Sequence, residues 1–174
     1  MSYQESFISY LKNEKRYSSH TVVAYKNDLD QFVLFCTDMF GEFNVKEVNS
    51  KVVRNWVVQL MEQQLSPRSA SRKVTTVKSF FKYLMREKVV DNNPAVNIPL
   101  PKIRKKLPNF IEENHLHRLL DDGFFADDFS GVRDKLIIYL LYGTGVRLAE
   151  LQGLKDSDFN KKEYLIRVVG KRNK

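Results

Sequence analysis

The sequence predicts a mainly α protein: a four-helix bundle over the first hundred residues, then a smaller unit in which helices give way to a strand. Three observations point that way. Four apolar stripes recur at spacings of three and four between Tyr3 and Leu84, the pattern of amphipathic helices. A basic stretch containing four prolines interrupts that periodicity before Asn109. Near the end, Tyr164 to Val169 is β-branched and apolar, which reads as a strand.

Tyr3, Phe7, Tyr10 and Leu11 mark the first helix. Val22, Tyr25, Leu29, Phe32, Cys36 and Met39 mark a longer second one, with Ser18 or Ser19 as its cap and Gly41 as its stop. A third is expected after Asn49, burying Val53, Trp56, Val57 and Leu60. Ser66-Pro67 supplies a cap and a first-turn proline for a fourth helix, reaching about Lys88 with Ala70, Val74, Val77, Phe81 and Leu84 inward. Each stripe needs the others to leave water, so residues 1–98 are expected to fold as one helical domain. Pro94, Pro99, Pro101 and Pro108 disfavour helix, and residues 99–108, with Lys102, Arg104, Lys105 and Lys106, read as an extended basic linker. Beyond it, residues 109–174 are expected to hold helices over Glu112 to Leu120 and Val132 to Tyr142. A break at Gly143-Thr144-Gly145, a short helix through Leu151 and the strand follow. Gly170 to Asn173 reads as a turn into a partner strand that is absent, so this unit is expected to be incomplete.

The charge is unevenly placed. The chain carries +8 overall, yet residues 1–65 sum to −1 and residues 107–174 to zero; residues 66–106 hold 11 Lys/Arg against Glu87 and Asp91. A localised excess of that kind argues for a polyanion-binding surface. The basic stretch lacks the apolar face of an interfacial helix, so nucleic acid is favoured over membrane. No apolar run approaches the roughly 20 residues of a spanning helix. Residues Met1 to Lys15 lack the apolar core of a secretion signal. A single cysteine, Cys36, fits a reducing, cytoplasmic setting and reads as a small core residue.

The fourth helix carries the clearest physical signal. Opposite its apolar stripe stand Arg68, Arg72, Thr75, Thr76, Ser79, Lys82 and Arg86, with no acid among them. Long cations reach phosphates or guanine edges, and short hydroxyls allow close approach, so this face suits duplex DNA. Thr21 and Lys26 on the second helix are further DNA-contact candidates. In the second unit, Gly143 to Leu154 (G-T-G-V-R-L-A-E-L-Q-G-L) places Arg147 in the first turn of a short helix, where amides and a guanidinium together suit an anion. Glu150, three residues on, is placed to orient Arg147. The same pattern also fits an ordinary turn and helix with a surface ion pair.

Gly143-Thr144-Gly145-Val146-Arg147-Leu148-Ala149-Glu150-Leu151, followed by Gly153-Leu154 and Asp158, resembles the segment around the first catalytic arginine of the tyrosine site-specific recombinases, or phage integrases. Arg167 to Lys174 is similar to the strand and turn bearing that family's catalytic lysine. Ser19-His20-Thr21 to Tyr25, Asp28-Leu29, Phe80 to Leu84 and Asn93-Pro94-Ala95 resemble its core-binding domain. The likeness is nearest the Xer-type branch and spans essentially the whole chain. It implies a four-helix, SAM-like core-binding domain followed by the beginning of an α+β catalytic domain. It also implies a partner, double-stranded DNA, clamped between the two.

By that resemblance, Arg147 stabilises charge on the scissile phosphate and Lys171 protonates the departing 5′ oxygen. A tyrosine then holds the strand as a 3′-phosphotyrosine, with no metal or other cofactor. The family's histidine/arginine pair and nucleophilic tyrosine fall after the lysine turn, and this chain stops three residues past Lys171. His115-Leu116-His117-Arg118 spells H-x-x-R but precedes Arg147, so both histidines read as surface or packing residues. The expectation is therefore a truncated recombinase that binds DNA without cleaving it. It is expected to be monomeric in solution and to meet a related recombinase subunit in a full-length context. The alternatives are a stand-alone DNA-binding or regulatory protein of recombinase descent and, last, a basic helical RNA-binding protein.

Overall fold

The computed structural model describes residues 2–100, 102, 107, 109–121, 123–168 and 170. The chain divides into two compact units, residues 1–106 and 107–174. Unit 1 holds α1 (Tyr3–Asn13), α2 (Ser19–Phe40), α3 (Ser50–Glu62) and α4 (Pro67–Arg86). Each start is set by a local cap. Ser2 and Glu5 form a reciprocal capping box on α1, Ser18 caps α2, Asn49 accepts from the amides of Lys51 and Val52, and Ser66 caps α4 ahead of Pro67. Helix α2 ends at Gly41, whose φ of 82° needs a residue without a Cβ.

The other three stops use no glycine. Gln64 (φ 58°) and Lys88 (φ 57°) take the left-handed conformation just past α3 and α4. The amide of Gln64 donates to the Met61 carbonyl at 3.0 Å and that of Leu65 to Leu60 at 3.2 Å. Lys88 donates to Met85 at 3.1 Å and Val89 to Leu84 at 2.9 Å. These are paired Schellman bonds, and the apolar Leu65 and Val89 that follow pack on the core.

Helix α4 contacts α1, α2 and α3. Its buried arc is therefore wider than the expected stripe and takes in Lys73, Thr76 and Phe80 as well. Phe80 is fully buried, with ring centroids 5.4 Å from Phe7 and 5.5 Å from Phe81; Phe32 packs edge-on against Trp56 at 4.9 Å. Tyr3 and Met39, expected inside, are half exposed at the bundle's ends. Ala95 and Ile98 extend the core past α4, and Asn93 holds that segment by donating to the Lys78 carbonyl at 2.8 Å. Burial pushes the Cys36 thiol up to about 12, consistent with a packing residue.

Unit 2 contains α5 (Glu113–Asp121), α6 (Phe129–Thr144), α7 (Leu148–Gln152), a 3₁₀ turn over Asp156–Asp158, and strands β1 (Phe159–Asn160) and β2 (Leu165–Ile166). Helix α6 runs through Gly143 and ends at Gly145, which takes φ 65°. Among the described residues the strand expected over Tyr164 to Val169 covers only β2, and the expectation of a single strand is corrected. It pairs antiparallel with β1, Phe159 facing Ile166 and Asn160 facing Leu165. The Asn160 side-chain oxygen accepts from the amides of Lys162 and Glu163, and this Asx turn reverses the chain. Val132, Leu136, Tyr139 and Tyr142 leave one apolar stripe of α6 exposed. No helix among the described residues is long and apolar enough to cross a membrane.

The Schellman geometry has a direct test. A left-handed L-residue costs about 1–2 kcal/mol, partly offset by glycine's larger unfolded-state entropy. Gln64→Gly is expected to stabilise unit 1 by about 0.5–1 kcal/mol in urea unfolding. The sole tryptophan, buried Trp56 in the same helix, reports the transition by fluorescence.

Candidate nucleic-acid interface

The outer face of α4 is one stripe. Arg68, Arg72, Thr75, Ser79, Lys82 and Arg86 follow one another at alternating steps of four and three, so they line up along the helix. At 1.5 Å per residue the stripe extends roughly 27 Å. Arg68 and Lys82 are exposed, and neither has an ion pair among the described residues. The Thr75 hydroxyl donates to the Ser71 carbonyl and that of Ser79 to the Thr75 carbonyl, both at 2.9 Å, so each rests against its own helix.

Thr76 does not belong to this face. It is 2% exposed, and its hydroxyl donates to Asp28 Oδ2 at 3.0 Å. The sequence placed it outward because α4 was read as burying a narrow stripe, whereas α2 covers a wider arc. Asp28 itself is 2% exposed and is the centre of a polar seam between α2 and α4. It accepts from the Arg72 guanidinium, from Lys73 Nζ at 3.1 Å and from Thr76. Lys73 is 5% exposed and also donates to Gln31 Oε1 at 2.6 Å. A buried carboxylate needs this number of partners, because water is not available to supply them.

Arg86, at the far end of the stripe, is already engaged. Its Nη1 and Nη2 donate to Glu14 at 3.2 Å and its Nε to Glu87 at 3.0 Å, while the guanidinium carbon lies 4.3 Å from the centre of the Tyr10 ring. The hydrogen bonds to Glu14 and Glu87 hold its pKa above the usual arginine value. Helix α4 does lack acids on this face, but α1 brings one to it. Arg86 thus ties α1 to α4, with its guanidinium occupied.

Thr21 is half-buried in the cap of α2, its hydroxyl 2.9 Å from Ser18 Oγ. Lys26 is exposed and pairs with Asp30 at 2.6 Å. It sits two residues before Asp28, about 200° round the helix. It lines a groove of about 610 Å³ between α1 and α2, away from the α4 seam.

In unit 2, Arg147 is the N-cap of α7, just before the first turn in which it was expected. Glu150 holds it twice, accepting from the Arg147 amide at 2.9 Å and from Nη1 at 2.7 Å. The carboxylate therefore takes one backbone amide at the helix start that the sequence suits to an anion. Arg147 remains 74% exposed while Glu150 is largely shielded at 11%. Lys171 lies outside the described residues. His115 and His117 are exposed beside Glu112 and Glu113. No cluster of His, Cys, Asp or Glu able to hold a metal is found among the described residues.

Residues 5–88 match the phage integrase N-terminal SAM-like domain. Along its length the chain is 37% identical to the tyrosine recombinase XerC of Oceanobacillus iheyensis, over 99% of this chain and 56% of that protein. It is 37% identical to XerC of Bacillus pumilus, over 97% and 54%. The chain thus carries the phage integrase N-terminal SAM-like domain and is similar along its length to tyrosine recombinases.

The chain spans about half the length of these curated tyrosine recombinase relatives. In fold it is similar to the Tn1549 transposon integrase solved with circular intermediate DNA, with a TM-score of 0.64 and 18% identity over 93% of this chain and 52% of that one. The same integrase solved with transposon right end DNA gives a TM-score of 0.66 over 92% and 50%. All the candidates on α2 and α4 fall inside the matched SAM-like domain; Arg147, Glu150 and Lys171 fall outside it.

Sequence reasoning missed Asp28, Lys73 and Gln31 as a seam and Glu14 and Tyr10 as partners of Arg86. The first had a visible signal: Asp28 lies three after Tyr25 and four before Phe32, and Lys73 three after Ala70 and four before Val77, so both fall on inward arcs. The second joins residues 72 positions apart and has none.

The Arg147 amide and guanidinium hold the Glu150 pKa below the ordinary glutamate range. A carboxylate lowered in the folded state contributes stability above its unfolded pKa and loses it as pH falls through the folded one. A carboxyl-detected NMR titration is expected to show Glu150 titrating below ordinary glutamates and Arg147→Ala raising its midpoint. An unmoved midpoint contradicts the tie.

Proposed function

We propose that this chain grips duplex DNA for site-specific recombination by a tyrosine recombinase, with the outer face of α4 as the principal contact. The observation that carries the reading is the stripe from Arg68 to Lys82: long cations and hydroxyls aligned on one helix face, two of the cations without an ion pair among the described residues. Cations along a helix neutralise phosphates and release counterions, while small side chains between them let the backbones approach. The relatives named tyrosine recombinase XerC and the fold likeness to an integrase solved on DNA support the same reading. Arg68, Arg72 and Lys82 are the proposed phosphate contacts, with Ser79 beside them. Thr21 and Lys26 are at most outlying contacts and Arg86 a structural tie.

In unit 2, Arg147 is the proposed stabiliser of a scissile phosphate. Glu150 fixes its backbone amide and one edge of its guanidinium, leaving the remaining donors for oxygen atoms that gain charge. Lys171 is the proposed general acid. A cytoplasmic setting fits the single buried thiol of Cys36.

Affinity for a duplex measured against salt tests the interface. Log affinity is expected to fall linearly with log salt, and Arg68→Ala and Lys82→Ala each to flatten the slope by about 1. Arg86→Ala is expected to leave the slope nearly unchanged, and Arg147→Ala to weaken binding only slightly. Unchanged slopes in the Arg68 and Lys82 variants would overturn the assignment of α4.

A further inference from the structure

Arg72 differs from the other cations of the stripe. Arg68 and Lys82 project from α4 without an ion pair among the described residues, whereas the Arg72 guanidinium is fastened at Nη1 to a carboxylate that is itself 2% exposed. Its side chain stays 53% exposed. An acid beside a DNA-facing arginine ordinarily competes with phosphate. Here the charge balance differs. Asp28 is shared with Lys73, whose ammonium is 3.1 Å away and almost fully buried, so the inner pair cancels and Arg72 keeps its charge outward.

A guanidinium has five N–H donors, and among the described residues only Nη1 is used. The Asp28 carboxylate of α2 is in turn fixed by Thr76 of α4, and Lys73 by Gln31 of α2. Every atom that holds Arg72 is therefore held by packed helix. We infer that Asp28 is a positioning residue for DNA binding: it pre-orients Arg72 so that the free edge of the guanidinium meets a phosphate without first losing its rotamer freedom. The inference rests on the DNA-gripping reading above and goes beyond it by assigning a role to an internal acid that cannot itself touch DNA. Pre-ordering one long side chain is worth about three- to tenfold in affinity.

The test is a binding cycle. Asp28→Asn alone strands a buried lysine, so it is combined with Lys73→Met, which fills similar volume and leaves the net charge of the protein unchanged. Affinity for a duplex is then measured for the parent, for Asp28→Asn/Lys73→Met, for Arg72→Ala and for all three substitutions together. Trp56 fluorescence confirms the fold of each. The paired substitution is expected to weaken binding about three- to tenfold where Arg72 is present and less than twofold where it is alanine. Equal losses in both backgrounds make Asp28 merely structural and overturn the inference. Tighter binding by the paired variant makes Asp28 a mask on Arg72 and overturns it too. If the parent binds no duplex, the DNA-gripping reading itself fails, an outcome the parent measurement alone reveals.

Discussion

A carboxylate buried to 2% has to be neutralised where it stands, and Asp28 is neutralised by three donors from a single helix. That requirement fixes how α2 lies against α4. A slide of one residue would turn Lys73 or Thr76 away and leave a buried charge unpaired, an error that typically costs about 3–5 kcal/mol. Apolar packing alone is more forgiving, since side chains of similar volume exchange at little cost. The seam therefore supplies register, and the aromatic layer of Phe7, Phe80 and Phe81 supplies bulk.

The same helix has two duties. Because α4 contacts the other three helices of unit 1, its inner arc must fill the core, and only a narrow outer arc is left for a ligand. The cations on that arc meet different fates. Arg86 is drawn into an intramolecular tie with Glu14 and Tyr10, Arg72 is anchored from below, and Arg68 and Lys82 stay exposed. Residues with the same charge on the same face thus divide into structural, oriented and exposed groups. The sorting is done by what α1 and α2 bring alongside.

That division explains what was legible in the sequence. The helices of unit 1 were readable because each has an apolar period and a side-chain cap within three residues of its start. The basic face of α4 was readable for the same reason, since charge and period are local properties. Thr76 was placed on the wrong side because the width of a buried arc depends on how many neighbours a helix has. The Arg86 tie was hidden because its partner is 72 residues away. In unit 2 the β-branched run drew the strand too long. Its partner, Phe159–Asn160, went unseen because two residues carry no period, and the Asx turn at Asn160 was the available clue. The residues alone put Arg147 in the first turn of a short helix, and the structure makes it the N-cap just before that turn. Its capture by Glu150 through both amide and guanidinium is a matter of geometry.

The central claim is that the ligand face of unit 1 is the outer arc of α4. The most direct measurement is a duplex DNA titration of the isotopically labelled chain, following amide and arginine side-chain NMR signals. The largest shifts are expected along Arg68, Arg72, Thr75, Ser79 and Lys82, with Thr76 and the buried aromatic residues little changed. Shifts centred on the groove between α1 and α2, around Lys12, Lys26 and Asp30, with α4 silent, would contradict the account.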